Sequence, residues 1–194
     1  MSALSAYLTR VASAYAAARH EPEDATVTRC YRAFTSAIEA QYRALCAFVD
    51  VRFVASDPYT LSAPMWADLS RGRLSVYTFA ELPSAHPMRA AIPYDGGEIA
   101  INLAFRAVHD AFAHYPERLH HDGLDAEPGY DEFRAFRAHV RLMAGNADAI
   151  RALFTETVAQ NATYHYGAHP GTFAAQRACV LPEALILQAL TLEI

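Results

Sequence analysis

The sequence predicts a mainly α fold of the α+β kind: one helical domain, residues 1–194, carrying a small two- or three-stranded β element. Three observations predict it. Apolar residues recur at helical spacing in both halves of the chain, a short stretch near the middle alternates as strands do, and no segment has linker composition. At 194 residues and 53% hydrophobic content the chain has apolar mass for a full core, which excludes intrinsic disorder.

The elements follow in order. Leu4, Tyr7, Leu8, Val11 and Tyr15 form a first helical stripe that breaks at His20-Glu21-Pro22. A second helix is expected from about Ala25 to Phe48, with Tyr31, Phe34, Ile38, Tyr42, Leu45 and Val49 on one stripe and Arg29, Arg32, Glu39 and Arg43 opposite. Val51 to Val54 reads as a short strand, ended by Asp57-Pro58-Tyr59. Arg73 to Phe79 reads as a better one, preceded by a turn at Gly72. From Pro83 to Gly97 three prolines and a Gly-Gly pair predict a long loop. Helices are then expected from Glu98 to His114 and from Tyr130 to Met143. Another begins after an Asn146 N-cap and runs to about Tyr164, and a short apolar one spans Leu181 to Leu192 with Pro182 in its first turn.

Charge and composition narrow the function classes. A net charge of −5 gives no basic surface for nucleic acid, and no apolar run reaches the roughly 18 residues of a membrane span. The first twenty residues do not read as a signal peptide, because Arg10 interrupts their apolar stretch. Cys30, Cys46 and Cys179 have no CxxC spacing and read as buried thiols of a cytoplasmic protein. All sixteen basic residues are arginine, so lysine Schiff-base and P-loop chemistry are excluded. Walker A, GxSxG and GxGxxG motifs are absent. The reading admits a small-molecule ligand and an oligomer as partners.

The candidate chemistry lies in three same-face polar pairs on consecutive helices. In Phe105 to His114, His109 falls on the core side, and Asp110 shares a face with His114. On a regular helix His114 sits about 140° from His109, so joint ligation requires the helix to distort or end near Ala113. Glu132 and His139, two turns apart, lie within about 20° of each other on the next helix. Glu156 and Gln160 share a face of the third. Helical bundles build carboxylate–histidine metal sites from such inward pairs, whereas solvated charge would account for the same spacing. His120-His121-Asp122, in a polar loop, form a lesser candidate, as do His165 and His169.

Asn102 to His114 resembles the NDLFRAVHDxFGH signature of a family of uncharacterised proteins found largely in phages and bacteria. The similarity extends upstream through Glu39, Gln41, Tyr59, Ser62, Met65, Asp68, Gly72, Thr78 and His86-Pro87-Met88. Downstream it takes in Glu132, His139, Thr155-Glu156-Thr157 and Gln160-Asn161. Ala113 stands where that signature has glycine, and Val158-Ala159 where it has Arg-Gly. The resemblance implies a phage-related origin and names no activity.

His109-Asp110-Ala111-Phe112-Ala113-His114 is also similar to the HELLGH motif of the aromatic amino acid hydroxylases, and Phe154-Thr155-Glu156 to their downstream glutamate segment. That resemblance implies a non-haem iron triad of His109, His114 and Glu156, with oxygenase-like chemistry. Fe(II) is then the expected ion and Zn(II) the alternative. Asp110, Glu132 and His139 are the expected catalytic groups, orienting a histidine or transferring protons. The competing expectation is a non-enzymatic binding or structural protein of mobile-element origin, its polar cluster a buried hydrogen-bond network.

Overall fold

The computed structural model describes residues 2–59, 61–78, 82–94, 97–117 and 127–193. Its element order is mainly α with two small sheets, in agreement with the predicted class. Helix α1 (Ala3–Ala17) starts where the Ser2 side chain accepts from the Ser5 N–H, and the predicted stripe from Leu4 to Tyr15 is buried. Helix α2 (Ala25–Cys46) starts at Asp24, whose carboxylate accepts from the Thr26 and Val27 N–H groups. At 22 residues it runs about 33 Å through the molecule and buries Tyr31, Phe34, Ile38 and Leu45.

Strand β1 (Asp50–Val54) pairs in parallel with β2 (Arg73–Tyr77), Val51 opposite Leu74. Parallel pairing requires a crossover, and helix α3 (Ser62–Leu69) provides it, burying Met65, Trp66 and Leu69. The sequence reading did not include α3. A second sheet joins β3 (Ala91–Tyr94) antiparallel to β4 (Gly97–Ala100) within and just after the predicted long loop. Pro93 masks this pairing in the sequence, since proline is tolerated only at a sheet edge. The helix expected from Glu98 therefore starts later, as α4 (Ile101–His109).

Helix α4 continues through a π-helical turn, Asp110–His114, into the short α5 (Tyr115–Glu117). The loop histidines His120 and His121 and their neighbour Asp122 lie outside the described residues. Helix α6 (Tyr130–Val140) follows Gly129. Gly129 has φ +84°, a left-handed conformation that strains any residue with a Cβ, and a Cβ there would also press on Leu8 Cδ1 at 2.8 Å. A 3₁₀ turn, Arg141–Met143, ends the helix, and Ala144 takes the left-handed conformation at φ 48°. Ala144→Gly should raise stability by about 0.5–1 kcal/mol in urea denaturation, because glycine carries no Cβ penalty there.

Asn146 caps α7 (Ala147–Phe154) as predicted, its side chain accepting from the Ala149 N–H at 3.1 Å. A second π-helical turn, Thr155–Ala159, leads into α8 (Gln160–Tyr166). Helix α9 (Glu183–Thr191) closes the order, with Pro182 just before it.

Helix α2 packs against α7 and α4, α1 against α8, and α6 against the first π-helical turn. One main core results, stitched by Phe34 on Phe105 and Phe136 on Phe154 with ring centroids 5.3 and 5.4 Å apart, beside a small cluster of Ala113, Ala135 and Ala138. Among the described residues no helix is long and apolar enough to cross a membrane. Cys30 and Cys179 are buried as expected, while Cys46 is exposed at the end of α2. Burial pushes the Cys30 thiol up to about 11 and the Cys179 thiol up to about 12, away from nucleophilic chemistry.

Candidate metal centre

The distortion that the His109–His114 spacing requires is present. The Tyr115 N–H bonds to the Asp110 carbonyl, five residues back, so one residue is inserted into the helix. A separation of five residues thereby becomes one turn, and both imidazoles come to the same side with ring centroids 4.8 Å apart. Ala113 adopts the turn without positive φ and is fully buried, so glycine is not needed there. Turns of this kind occur frequently at functional sites. The second π-helical turn carries Glu156, the other residue expected to bind metal.

His109, His114 and Glu132 converge, with one ligand atom from each lying within 4.8 Å of the others. Glu132 Oε1 is 2.9 Å from His109 Nε2, and Oε2 is 3.4 Å from His114 Nε2. A metal–ligand distance of about 2.1 Å places adjacent ligands about 3.0 Å apart in octahedral and about 3.4 Å apart in tetrahedral geometry. The two histidine–carboxylate separations fall in that range, one through each oxygen, while the three-residue set spreads over up to 4.8 Å. The Glu132 side chain is 17% exposed and the histidines almost closed off, and all three line the cavity.

A chain of hydrogen bonds fixes which His109 nitrogen is basic. Gln41 Nε2 donates to the Leu142 carbonyl at 3.2 Å, which turns Gln41 Oε1 toward His139. His139 Nε2 must therefore be the donor across 2.8 Å to that oxygen. Burial holds His139 well below the usual histidine range, and the neighbouring His109 lowers it further, so it is neutral and its Nδ1 is an acceptor. His109 Nδ1 then donates to it across 3.0 Å. The remaining His109 nitrogen, Nε2, is the one that meets the Glu132 carboxylate, at 2.9 Å. Only a positive charge between them, a proton or a metal cation, makes that contact favourable. This is the arrangement that orients a ligand histidine toward a metal.

The charges around the centre agree. Burial raises Glu132, but His109 and His114 beside it outweigh that and hold its carboxyl well below the usual range. Burial lowers His114, yet the Glu132 carboxylate wins and raises it. Asp110 is half-buried, and burial pushes its carboxyl up against the opposing pull of His114, His109 and Arg106.

Glu156 stands in a separate cluster. Tyr31 donates its hydroxyl to Glu156 Oε1, Gln160 Nε2 donates to Oε2 at 2.8 Å, and His86 Nε2 lies 3.4 Å from Oε1. The His86 ring accepts from the Met88 N–H through Nδ1, so its Nε2 carries the proton that faces Glu156. Burial, reinforced by Glu156, raises the Tyr31 phenol well above its ordinary value. Tyr31→Phe should cost about 1.5 kcal/mol in urea denaturation, since a buried carboxylate loses a donor. The same variant should bind metal as the wild type does.

Both clusters line one cavity of about 1180 Å³, and His109, His114, Asp110, Glu132 and Glu156 all face it. His139 lies behind His109, fully buried. Tyr31, Gln41 and His86 had no assigned role in the sequence. Tyr31 belongs to the apolar stripe of α2, while Gln41 and His86 were singled out only through a resemblance. Comparison with family models, characterised proteins and solved structures finds no match to this chain.

Proposed function

We propose that this chain is a metal-dependent enzyme whose ion is held by His109, His114 and Glu132 and whose substrate occupies the adjoining cavity. The observation that carries the reading is the convergence of His109, His114 and Glu132 on one point, with His109 Nδ1 engaged by His139 so that Nε2 faces the carboxylate. Two histidines and one carboxylate suit Fe(II) as in non-haem oxygenases, with Zn(II) as the alternative ion. Bound there, Fe(II) supplies dioxygen chemistry and Zn(II) Lewis-acid activation of water.

The protein's own part is separable. Glu132 bridges the two imidazoles, His139 and Gln41 hold one of them in the ligating tautomer, and Asp110 lies on the cavity wall within one residue of that ligand. The three unpaired cysteines support a reducing, cytoplasmic setting. Phage-related ancestry is supported only by the sequence resemblance.

Titration with Co(II), followed by visible absorption, tests the site. One equivalent should produce ligand-field bands that disappear in His109→Ala and in His114→Ala. Absence of bands in the wild type, or their persistence in both variants, contradicts the proposal. A second reading, a non-enzymatic protein with a buried polar network, is favoured by one fact: protonated histidines at these distances would satisfy Glu132 without any metal. It predicts no response to Co(II).

A further inference from the structure

We propose that Glu156, Gln160 and Gln176 form a recognition site for a protonated amine on the molecule that fills the cavity. The proposal rests on the metal-dependent reading, which gives this cavity to the substrate, and it names the class of that substrate. The site is built from the second π-helical turn, the first residue of α8 and the segment that follows α8. All three residues line the cavity.

Glu156 is a buried carboxylate that only neutral donors meet. Its side chain is 1% exposed. Tyr31 gives its hydroxyl to Oε1, and His86 turns Nε2–H toward the same oxygen. His86 is neutral, because its Nδ1 accepts from the Met88 N–H. Gln160 Nε2 donates to Oε2 at 2.8 Å. All of these contacts are donors, which suits the ionised group, an acceptor only. Arg89 and Arg106 line the same cavity, yet among the described residues no arginine comes within salt-bridge distance of Glu156. A charge buried without a counter-ion is costly, and a cation entering the cavity offsets that cost.

Gln176 supplies a second observation. Because Gln160 points its Nε2 at the carboxylate, its Oε1 is left to accept from Gln176 Nε2 at 3.1 Å. The carboxylate thereby sets the orientation of both amides. Gln176 Oε1 is left buried, with no donor among the described residues. Buried acceptors in that state are uncommon, and Gln176 belongs to the wall of a cavity that can admit a donor. The carboxylate is then the counter-ion of an ammonium, which has three N–H donors and no acceptor, while Gln176 Oε1 accepts a further N–H or O–H of the same ligand. Phe173, three residues earlier, lines the cavity with a ring 63% exposed and stacked on Tyr164, centroids 4.5 Å apart. An aromatic face near a carboxylate suits an apolar body attached to the ammonium.

The test uses phenylalaninol, which carries an ammonium, and the neutral, similarly shaped 3-phenylpropane-1,2-diol as probes. Each is titrated calorimetrically into metal-free and Zn(II)-treated full-length protein. The amine should bind about tenfold or more tighter than the diol, in both forms of the protein. Glu156→Gln, checked for a cooperative thermal transition, should weaken the amine by about tenfold and leave the diol unaffected. Gln176→Leu keeps the carboxylate and should weaken the amine by about three- to tenfold, the loss of one hydrogen bond. Equal binding of amine and diol, or wild-type amine affinity in Glu156→Gln, overturns the proposal. Amine binding that requires Zn(II) and ignores Glu156→Gln assigns the amine to the ion and overturns it as well. Amine binding that tracks Glu156 in protein that takes up no Zn(II) would instead remove the metal reading and leave this site standing.

Discussion

Glu132→Ala should abolish the stabilisation that metal gives the wild-type protein. An ion that binds only the folded chain adds about 2.7 kcal/mol at a hundredfold excess over Kd. For a chain of this size that corresponds to a rise of several degrees in melting temperature, at about 2–4 °C per kcal/mol. Glu132 is the group that addresses both histidines, one through each carboxylate oxygen, so its removal separates the ligand set. Without metal the variant should also lose about 1–3 kcal/mol, because His109 and His114 keep buried nitrogens whose partner is gone. Thermal unfolding with and without Fe(II) or Zn(II) reads both effects. An equal metal-induced shift in wild type and Glu132→Ala would show that the ion binds elsewhere.

The second large effect is expected at a residue that touches no metal. His139→Phe keeps an aromatic ring where His139 stacks on Phe105, with centroids 6.1 Å apart, but removes the acceptor of the His109 Nδ1–H. His109 is then free to take the other tautomer, with its proton on Nε2 and no lone pair for the ion. Metal affinity should fall about 10- to 100-fold, the cost usual for losing a group that orients a ligand histidine. Gln41→Leu should act in the same direction and less strongly, since it leaves the His109–His139 contact in place. Competition against a chromophoric chelator gives the affinities. A Kd for His139→Phe equal to that of the wild type would refute the tautomer chain.

The helices were legible because apolar spacing and caps are local properties. Asn146, read as an N-cap, accepts from the N–H that opens α7, and the stripes of α1 and α2 are the buried ones; Ser2 and Asp24 cap α1 and α2 without having been singled out. Helix α3 was not legible, its eight residues being too few to display a period. Pro93 hid the β3–β4 pair for the reason already given. At the site, spacing demanded a distortion between His109 and His114 but could not specify a π-helical turn. Such a turn strains local hydrogen bonding and persists through tertiary packing, here of α6 against residues 110–114.

The same limit applies to the carboxylate. Glu132 and Glu156 both belong to inward same-face pairs, and only the order in which α6 and α7 pack decides which one meets the histidines. Tyr31 and His86 reach Glu156 from far along the chain, across contacts that no single-helix pattern encodes.

Metal content after equilibrium dialysis, measured by elemental analysis on protein purified without chelator or nickel, locates the ion. One Fe(II) or Zn(II) per chain is expected in the wild type and in Glu156→Ala, and none retained by Glu132→Ala. Full occupancy in Glu132→Ala together with loss in Glu156→Ala would contradict that expectation and assign the carboxylate ligand to the second π-helical turn.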